Sequence, residues 1–441
     1  MGPRRATVLI LIHVAIAAHI IHWRVAGTTL SPVEPSEAMQ TLNNGFVNAG
    51  FIFFVLAILS TLIVGRFFCG WGCHIVALQD LCAWMLKKVG IRPAPFKSRL
   101  LMYAPLSLAL YMFVWPSLKR VIAPTIASWS PTLGAWLGPI ARFPDGELSN
   151  HLLTNDFWAT FASIPVAIPF LLVCGFATVY FLGAKGFCTY GCPYGGFFAP
   201  ADLAAPGRII VDHDKCEGCG HCTAVCTSNV RVHEEIREYG MVVDPGCMKC
   251  MDCVSVCPNN ALSFGFRKPA LLKGAPRNKP PHTRLDTTLG QDFILAAVFI
   301  AVFLGSRGQY GVIPMLMSMG LASIAAFLAW KCMMLVARRD VRVARLQIKR
   351  SGRITTAGAG FIAIVTLLAA LTAHSLFLSQ YKWRAGALFN ELMPDASALT
   401  ASLGANTTPE SASKALQSAA LYERTLSFRS GGIGLFDNQT A

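Results

Sequence analysis

CEGCGHCTAVC, from Cys216 to Cys226, and CMKCMDCVSVC, from Cys247 to Cys257, each hold four cysteines at one spacing, C-x2-C-x2-C-x3-C. Three cysteines set two residues apart can wrap a short loop around one iron–sulfur cubane, corner by corner. The fourth, about a turn further on, reaches a second cubane. The repeat therefore assigns Cys216, Cys219, Cys222 and Cys257 to one [4Fe–4S] cluster, and Cys247, Cys250, Cys253 and Cys226 to its twin. Zinc sites instead use C-x2-C pairs separated by longer gaps. Pro258 follows the second run, whereas Thr227 stands at the matching place after the first.

The flanks fit a small α+β unit. Arg208–Asp212 and Met241–Asp244 read as short strands entering each loop, and Ala261–Phe266 as a closing strand. Gly218 and Gly220 let backbone amides approach cluster sulfurs, where hydrogen bonds raise the potential. Residues 207–268 thus resemble a bacterial two-cluster ferredoxin with an internal pseudo-twofold repeat.

Outside this unit the chain is strongly apolar. Of 441 residues, 54% are hydrophobic and 14% charged, with mean hydropathy +0.50; soluble domains carry nearer 25% charge. Runs long enough for a hydrocarbon core of about 30 Å lie near Thr7–Trp23, Gly45–Gly65, Arg99–Pro116, Phe157–Gly183, Phe293–Gly305, Val312–Val336 and Thr355–Leu378. The expected fold is a mainly α-helical polytopic membrane protein of about seven transmembrane helices, with the ferredoxin module inserted. Residues 1–206 form a four-helix membrane domain, 207–268 the module, 269–380 three further helices, and 381–441 a polar external tail in which Ser411–Arg424 reads as an amphipathic helix.

The net charge of +15 would suit nucleic acid, but its distribution argues otherwise. Arg4 and Arg5 precede the first span. Arg66, Lys87, Lys88, Arg92, Lys97 and Arg99 follow the second, and Arg267, Lys268, Lys273, Arg277, Lys279 and Arg284 follow the fourth. The sixth is followed by a basic loop holding Arg338, Arg339, Arg342, Arg345, Lys349, Arg350 and Arg353, with Asp340 the lone acid. The alternate loops carry Glu34, Glu37, Asp145, Glu147 and Asp156. This is a positive-inside pattern. It places the N-terminus and the module in the cytoplasm, the C-terminus outside, and lipid rather than nucleic acid around the chain. The first span lacks a clean small-x-small cleavage site and reads as a retained helix.

Two further cysteine pairs sit at span ends. Cys69-Gly-Trp-Gly-Cys73 follows the second span, and Cys188-Thr-Tyr-Gly-Cys192-Pro193 follows the fourth. GRFFCGWGC, then Gln79-Asp80-Leu81, parallels AKGFCTYGC, then Ala201-Asp202-Leu203, so the membrane part looks duplicated. Four residues apart, each pair could share one face of a helical turn, and the two pairs together could close a tetrathiolate site. A third metal centre, a thiol/disulfide couple and structural thiols all remain open.

With these motifs the chain resembles the NapH/NosR/CcoG-like family of membrane ferredoxins across roughly Gly45–Lys268. The resemblance implies electron relay between a cytoplasmic donor or the quinone pool and a respiratory or periplasmic acceptor, in a bacterial inner membrane, with redox partner proteins. It equally implies the alternatives of a maturation factor for a metalloenzyme such as a terminal oxidase, or a redox sensor. His74 stands where the first motif of that family usually has proline; an imidazole there could ligate a metal or donate to a thiolate.

Other signals are weaker. His13, His19 and His22 fall in or beside the first span and His374 near the last; hydrogen bonding is the preferred reading over haem or quinone ligation. Cys82, Cys174 and Cys332 read as packing residues, and Trp71 and Tyr190 as interfacial anchors. The chain holds no Walker A, Rossmann or HExxH motif, and the expected role is that of an electron-transfer subunit without bond-making chemistry of its own.

Overall fold

A backbone in hydrocarbon must satisfy its own hydrogen bonds, so apolar runs of this length fold as helices. The computed structural model describes residues 2–91, 96–137, 148–159, 161, 163–272, 285–308, 313–392 and 409–427. Among these, Arg4–Ala26, Leu101–Trp129, Ile164–Leu182, Leu289–Ser306, Met315–Ala337 and Thr356–Leu388 are long and apolar enough to cross a membrane. Ala49–Val64, with 16 residues, is the shorter second member of the set of seven. Asn48 caps it, accepting from the Phe51 amide at 2.8 Å.

The bundle has a defined inside. Met315–Ala337 buries 56% of its apolar window, whereas the first and last helices each bury 6%, leaving residues such as Ile10, Leu11, Ile364 and Leu367 exposed. Surfaces of that kind suit lipid. Phe54, Phe113, Leu182, Phe198, Met319 and Phe327 belong to the shared core.

Several helix ends depart from the sequence reading, and the fourth span, expected from Phe157, begins at Ile164. The third span was expected to stop at Pro116 but runs on to Trp129. A π-turn at Leu110–Val114 comes immediately before Trp115-Pro116, and such a bulge lets the helix pass a residue that has no N–H to donate. The last helix was expected to end at Leu378 but continues to Leu392. The amphipathic tail helix, Pro409–Ser427, packs back on this extension, with Ser418 Oγ donating to the Ala385 carbonyl at 3.0 Å.

The basic segment after the sixth span is not a loop. Val341–Val343, Leu346–Arg350 and Arg353–Ile354 form a three-stranded antiparallel sheet. Val341, Val343 and Ile348 are buried in the bundle's core cluster, and the arginines between them face out. The alternation Val-Arg-Val already carries this period of two.

In the ferredoxin module, Gly207–Val211 pairs antiparallel with Leu262–Phe266, Ile209 opposite Phe264. Met241 joins by one bridge to Ile210 rather than as a full strand. Ile209, Val230, Val232, Ile236, Val242 and Leu262 make a separate small core into which Cys222, Cys247 and Cys253 point.

Candidate metal centres

Chain direction reverses tightly around each cluster loop, and both copies do so at the same places. Gly218 and Gly220 have φ of 71° and 75°, and their counterparts Lys249 and Met251 have 50° and 65°. Asn229 and Asn260, each three residues past the fourth cysteine, have 60° and 51°. Lys249 and Met251 are therefore held in the left-handed region, where a side chain costs about 1–3 kcal/mol. Something must pin them.

The first loop encloses a cavity of about 250 Å³, and its lining includes Cys216, Cys219, Cys222 and Cys257 together. That is the crossed set expected from the spacing: three cysteines from one run and the last from the other. Cys219 is exposed at its mouth. The second set lies deeper. Burial, then the field of Cys247, pushes the Cys226 thiol up to about 12. Burial and the fields of Cys247, Cys250 and Cys226 likewise push Cys253 up. Thiols brought so close without a counter-charge resist ionising; a metal displaces the protons. Among the described residues no three Cys, His, Asp or Glu side chains converge as ligands of a single ion. A cubane takes one thiolate at each iron, so its ligands stand apart, and the donor sets fit it.

The two C-x3-C segments fold alike. Each span ends at a glycine of positive φ, Gly65 at 75° or Gly183 at 102°. A basic residue follows, Arg66 or Lys185, then a five-residue helix, Phe67–Trp71 or Gly186–Tyr190, carrying the first cysteine. The second cysteine, Cys73 or Cys192, is the extended N-cap of the next helix, His74–Lys88 or Pro193–Ala204. The two cysteines of a pair therefore do not share one helical face, because Gly72 and Gly191 end the first helix between them. The repeat nevertheless brings the four together. Burial, then the fields of Cys69 and Cys192, pushes Cys73 up to about 12, and Cys188 is raised by burial and by Cys192, Cys73 and Cys69. All fifteen cysteines are free.

The halves are locked by an exchange of charges. Asp80 of the first copy pairs with Lys185 of the second. Asp202 of the second accepts from the backbone N–H of Arg66, in the first, at 3.0 Å. A Cβ on Gly65 would stand 2.6 Å from Asp202 Oδ1, so this approach requires glycine. Asp202 also pairs with Arg208 at 2.9 Å and Lys249 at 2.7 Å. Arg66, Arg208 and Lys249 are 6%, 0% and 0% exposed; three buried cations thus surround one carboxylate. The Arg66 side chain lies in hydrogen-bonding contact with Cys69 and in the field of Cys188, and its buried Nε has no partner. Buried charge of one sign needs compensation. Four thiolates around an iron–sulfur core would supply it, and the donor set and its surroundings fit such a group.

Sequence reasoning missed how the motifs meet their neighbours. Trp71 and Tyr190, read as equivalent interfacial anchors, have diverged. Trp71 Nε1 donates to the Lys249 carbonyl at 3.0 Å, whereas the Tyr190 hydroxyl donates to the Phe96 carbonyl and is 1% exposed. Also missed was Arg5. Its Nε donates to the Gly70 carbonyl at 2.7 Å, and its guanidinium reaches Asp252 at 3.4 Å and Asp80. A polar group also gathers beside Cys73 and Cys192: Glu34 lies in the field of His74 and Tyr194, and His13 in that of His74. Ser36 Oγ donates to Glu34 at 2.8 Å, and the buried Tyr194 hydroxyl has no partner. His19 and His22 share hydrogen bonds with the Leu30 carbonyl at 3.0 Å and Thr29 Oγ1 at 2.9 Å, the preferred reading for both.

A family model described as a 4Fe-4S binding domain matches residues 48–92 and 165–204, and one described as a 4Fe-4S dicluster domain matches 208–258. The ferredoxin-type protein NapH of Haemophilus influenzae is 26% identical over 218 residues, 48% of this chain and 67% of that protein. The methylamine utilization ferredoxin-type protein MauN of Methylobacillus flagellatus is 28% identical over 204 residues, 44% of this chain and 60% of its own. The thiosulfate reductase electron transfer subunit PhsB of Salmonella typhi is 34% identical over 88 residues, 18% of this chain and 42% of its own. No solved structure matches.

Proposed function

We propose, from its membership of the NapH-like family of membrane polyferredoxins, that this membrane iron–sulfur electron-transfer protein works through three centres. Cys216, Cys219, Cys222 and Cys257 hold one [4Fe–4S] cluster, and Cys247, Cys250, Cys253 and Cys226 a second. Cys69, Cys73, Cys188 and Cys192 hold a third centre of the same kind. The clusters supply one-electron chemistry when bound; the protein sets distance, charge and solvent access.

One observation carries the third centre: Arg66, buried and with an unpartnered Nε, stands against Cys69 inside a cationic surround that a single aspartate does not balance. A thiol/disulfide couple would be neutral and would leave that charge in place. The positive-inside charges support a module on the cytoplasmic side of the membrane, taken as a bacterial inner membrane, with the exposed Cys219 loop meeting a soluble redox partner. On the membrane side, Glu34, Ser36, His74 and Tyr194 beside Cys73 and Cys192 suit exchange with the quinone pool. A maturation role for a metalloenzyme would use the same centres with a different acceptor.

Anaerobic purification with iron analysis and electron paramagnetic resonance tests this. Two cubanes give about eight irons per chain and three about twelve. Cys69→Ser is expected to lose the third signal, keep the two ferredoxin signals, and abolish reduction of a membrane acceptor. Wild-type protein with about eight irons, or Cys69→Ser protein with full transfer, would overturn the third centre.

A further inference from the structure

The ferredoxin module could rest on the membrane domain through either of its loops. Lys97 Nζ donates to the Asn229 carbonyl at 3.0 Å just past the first loop, but the contact between cysteine motifs is made through the second. A Cβ on Gly70, the first residue between Cys69 and Cys73, would lie 2.2 Å from the Met248 carbonyl and 3.3 Å from the Cys250 amide. The neighbouring Trp71 donates its indole N–H to the Lys249 carbonyl at 3.0 Å. Met248 and Lys249 are the residues between Cys247 and Cys250. The inner turn of one cysteine motif thus lies backbone to backbone on the inner turn of another. Gly65 closes the contact from the side, where a Cβ would meet Lys249 Cε at 2.7 Å. The matching turn of the other half does nothing of the sort, since Tyr190 is engaged with Phe96. The first ferredoxin loop, with the exposed Cys219, lines a cavity whose lining residues all belong to the module.

We propose that the Gly70–Trp71 turn is the electron junction between the membrane-edge cysteines and the ferredoxin module, and that it selects the Cys247–Cys253 loop as the inner station. The relay then has a fixed order. The Cys216/Cys219/Cys222/Cys257 set is the outer station, the Cys247/Cys250/Cys253/Cys226 set the inner one, and the C-x3-C set lies beyond the turn. One electron crosses at a time, the donor side oxidised by one and the acceptor side reduced by one, with no bond made or broken. Gly70 is required because any side chain there would force apart two backbones now in contact. Lys249, held in its left-handed conformation by Asp202 and by the Trp71 bond to its carbonyl, keeps the turn in register and places a buried cation between the two stations.

This order rests on the third centre proposed above, and the experiment separates the two ideas. Iron per chain and the reduced resonance spectrum of wild-type protein report whether the centre exists. If it does, its paramagnetism speeds the spin relaxation of the inner ferredoxin cluster more than that of the outer one. In Trp71→Phe, iron content and all signals are expected to stay while the rate of reoxidation of the module by a membrane-side acceptor falls about tenfold, the effect of ~1.4 kcal/mol of barrier. Gly70→Val is expected to remove the relaxation enhancement. Should that variant lose iron through misfolding, Trp71→Phe alone decides. Unchanged transfer in Trp71→Phe, or stronger enhancement at the cluster of Cys216, would overturn the junction while leaving the third centre standing.

Discussion

Asp202 and Lys249 meet at 2.7 Å with neither side chain exposed to solvent, and the pair joins the end of the second C-x3-C segment to the inner ferredoxin loop. The same carboxylate holds Arg208 and the Arg66 amide. Removing one member of a buried ion pair leaves the others uncompensated, at about 3–5 kcal/mol. Asp202→Ala is therefore expected to lower the temperature at which the clusters bleach and to loosen the module from the membrane domain. Thermal bleaching followed by absorbance, with limited proteolysis near residue 206, checks it; an unchanged midpoint would contradict the lock.

Crossed ligation makes a prediction that separates it from a local arrangement. Cys257→Ala is expected to abolish the cluster whose other ligands are Cys216, Cys219 and Cys222, leaving its twin; Cys226→Ala is expected to do the reverse. Redox-titrated resonance spectra of the two variants, read against Cys216→Ala and Cys247→Ala, give the pairing. If Cys257→Ala matched Cys247→Ala, each run would hold its own cluster.

Glu235 supplies a pH signature. Its Oε2 accepts from the Val243 and Asp244 amides at 2.8 and 3.0 Å, and burial, then the field of Asp244, pushes its pKa from 4.5 up to about 7. Between these values the folded chain holds a proton that the unfolded chain has lost, so stability falls as pH rises through this window and the loss is complete above it. Glu235→Gln keeps an acceptor without the charge. Its stability advantage over wild type is expected to grow from pH 4.5 to 7, measured as the denaturant midpoint of cluster loss. A parallel offset at every pH would rule out the titration.

Arg5 anchors a helix that otherwise buries little. With 6% of the first span's apolar window buried, the bonds from Arg5 to Gly70, Asp80 and Asp252 tie the span to both the first C-x3-C turn and the module. Arg5→Met keeps the aliphatic stem and loses the bonds. We expect a loss of about 1–3 kcal/mol, seen as faster protease cleavage near residue 27, with iron content retained.

Local pattern made much of this legible. A cysteine spacing states which ligands belong to one loop because a cubane has a fixed size, and apolar runs state where helices form because hydrocarbon offers the backbone no partner. The duplication around Asp80 and Asp202 and the tail helix were readable for similar reasons. Ends were less so. Nothing near Pro116 announces a π-turn, and Leu378 gives no hint of a helix docking on its continuation.

What the chain alone determined is the chemistry: which thiols exist, at what spacing, and which segments enter lipid. What only the tertiary structure decided is who touches whom. Arg66, Lys249 and Trp71 look like ordinary loop residues, because the partners they face are remote in sequence: Asp202 lies 136 residues from Arg66 and 47 from Lys249, and Trp71 lies 178 from Lys249. Contacts between distant segments depend on how the two repeats close on each other, and a sequence pattern of period two, three or four has no term for that.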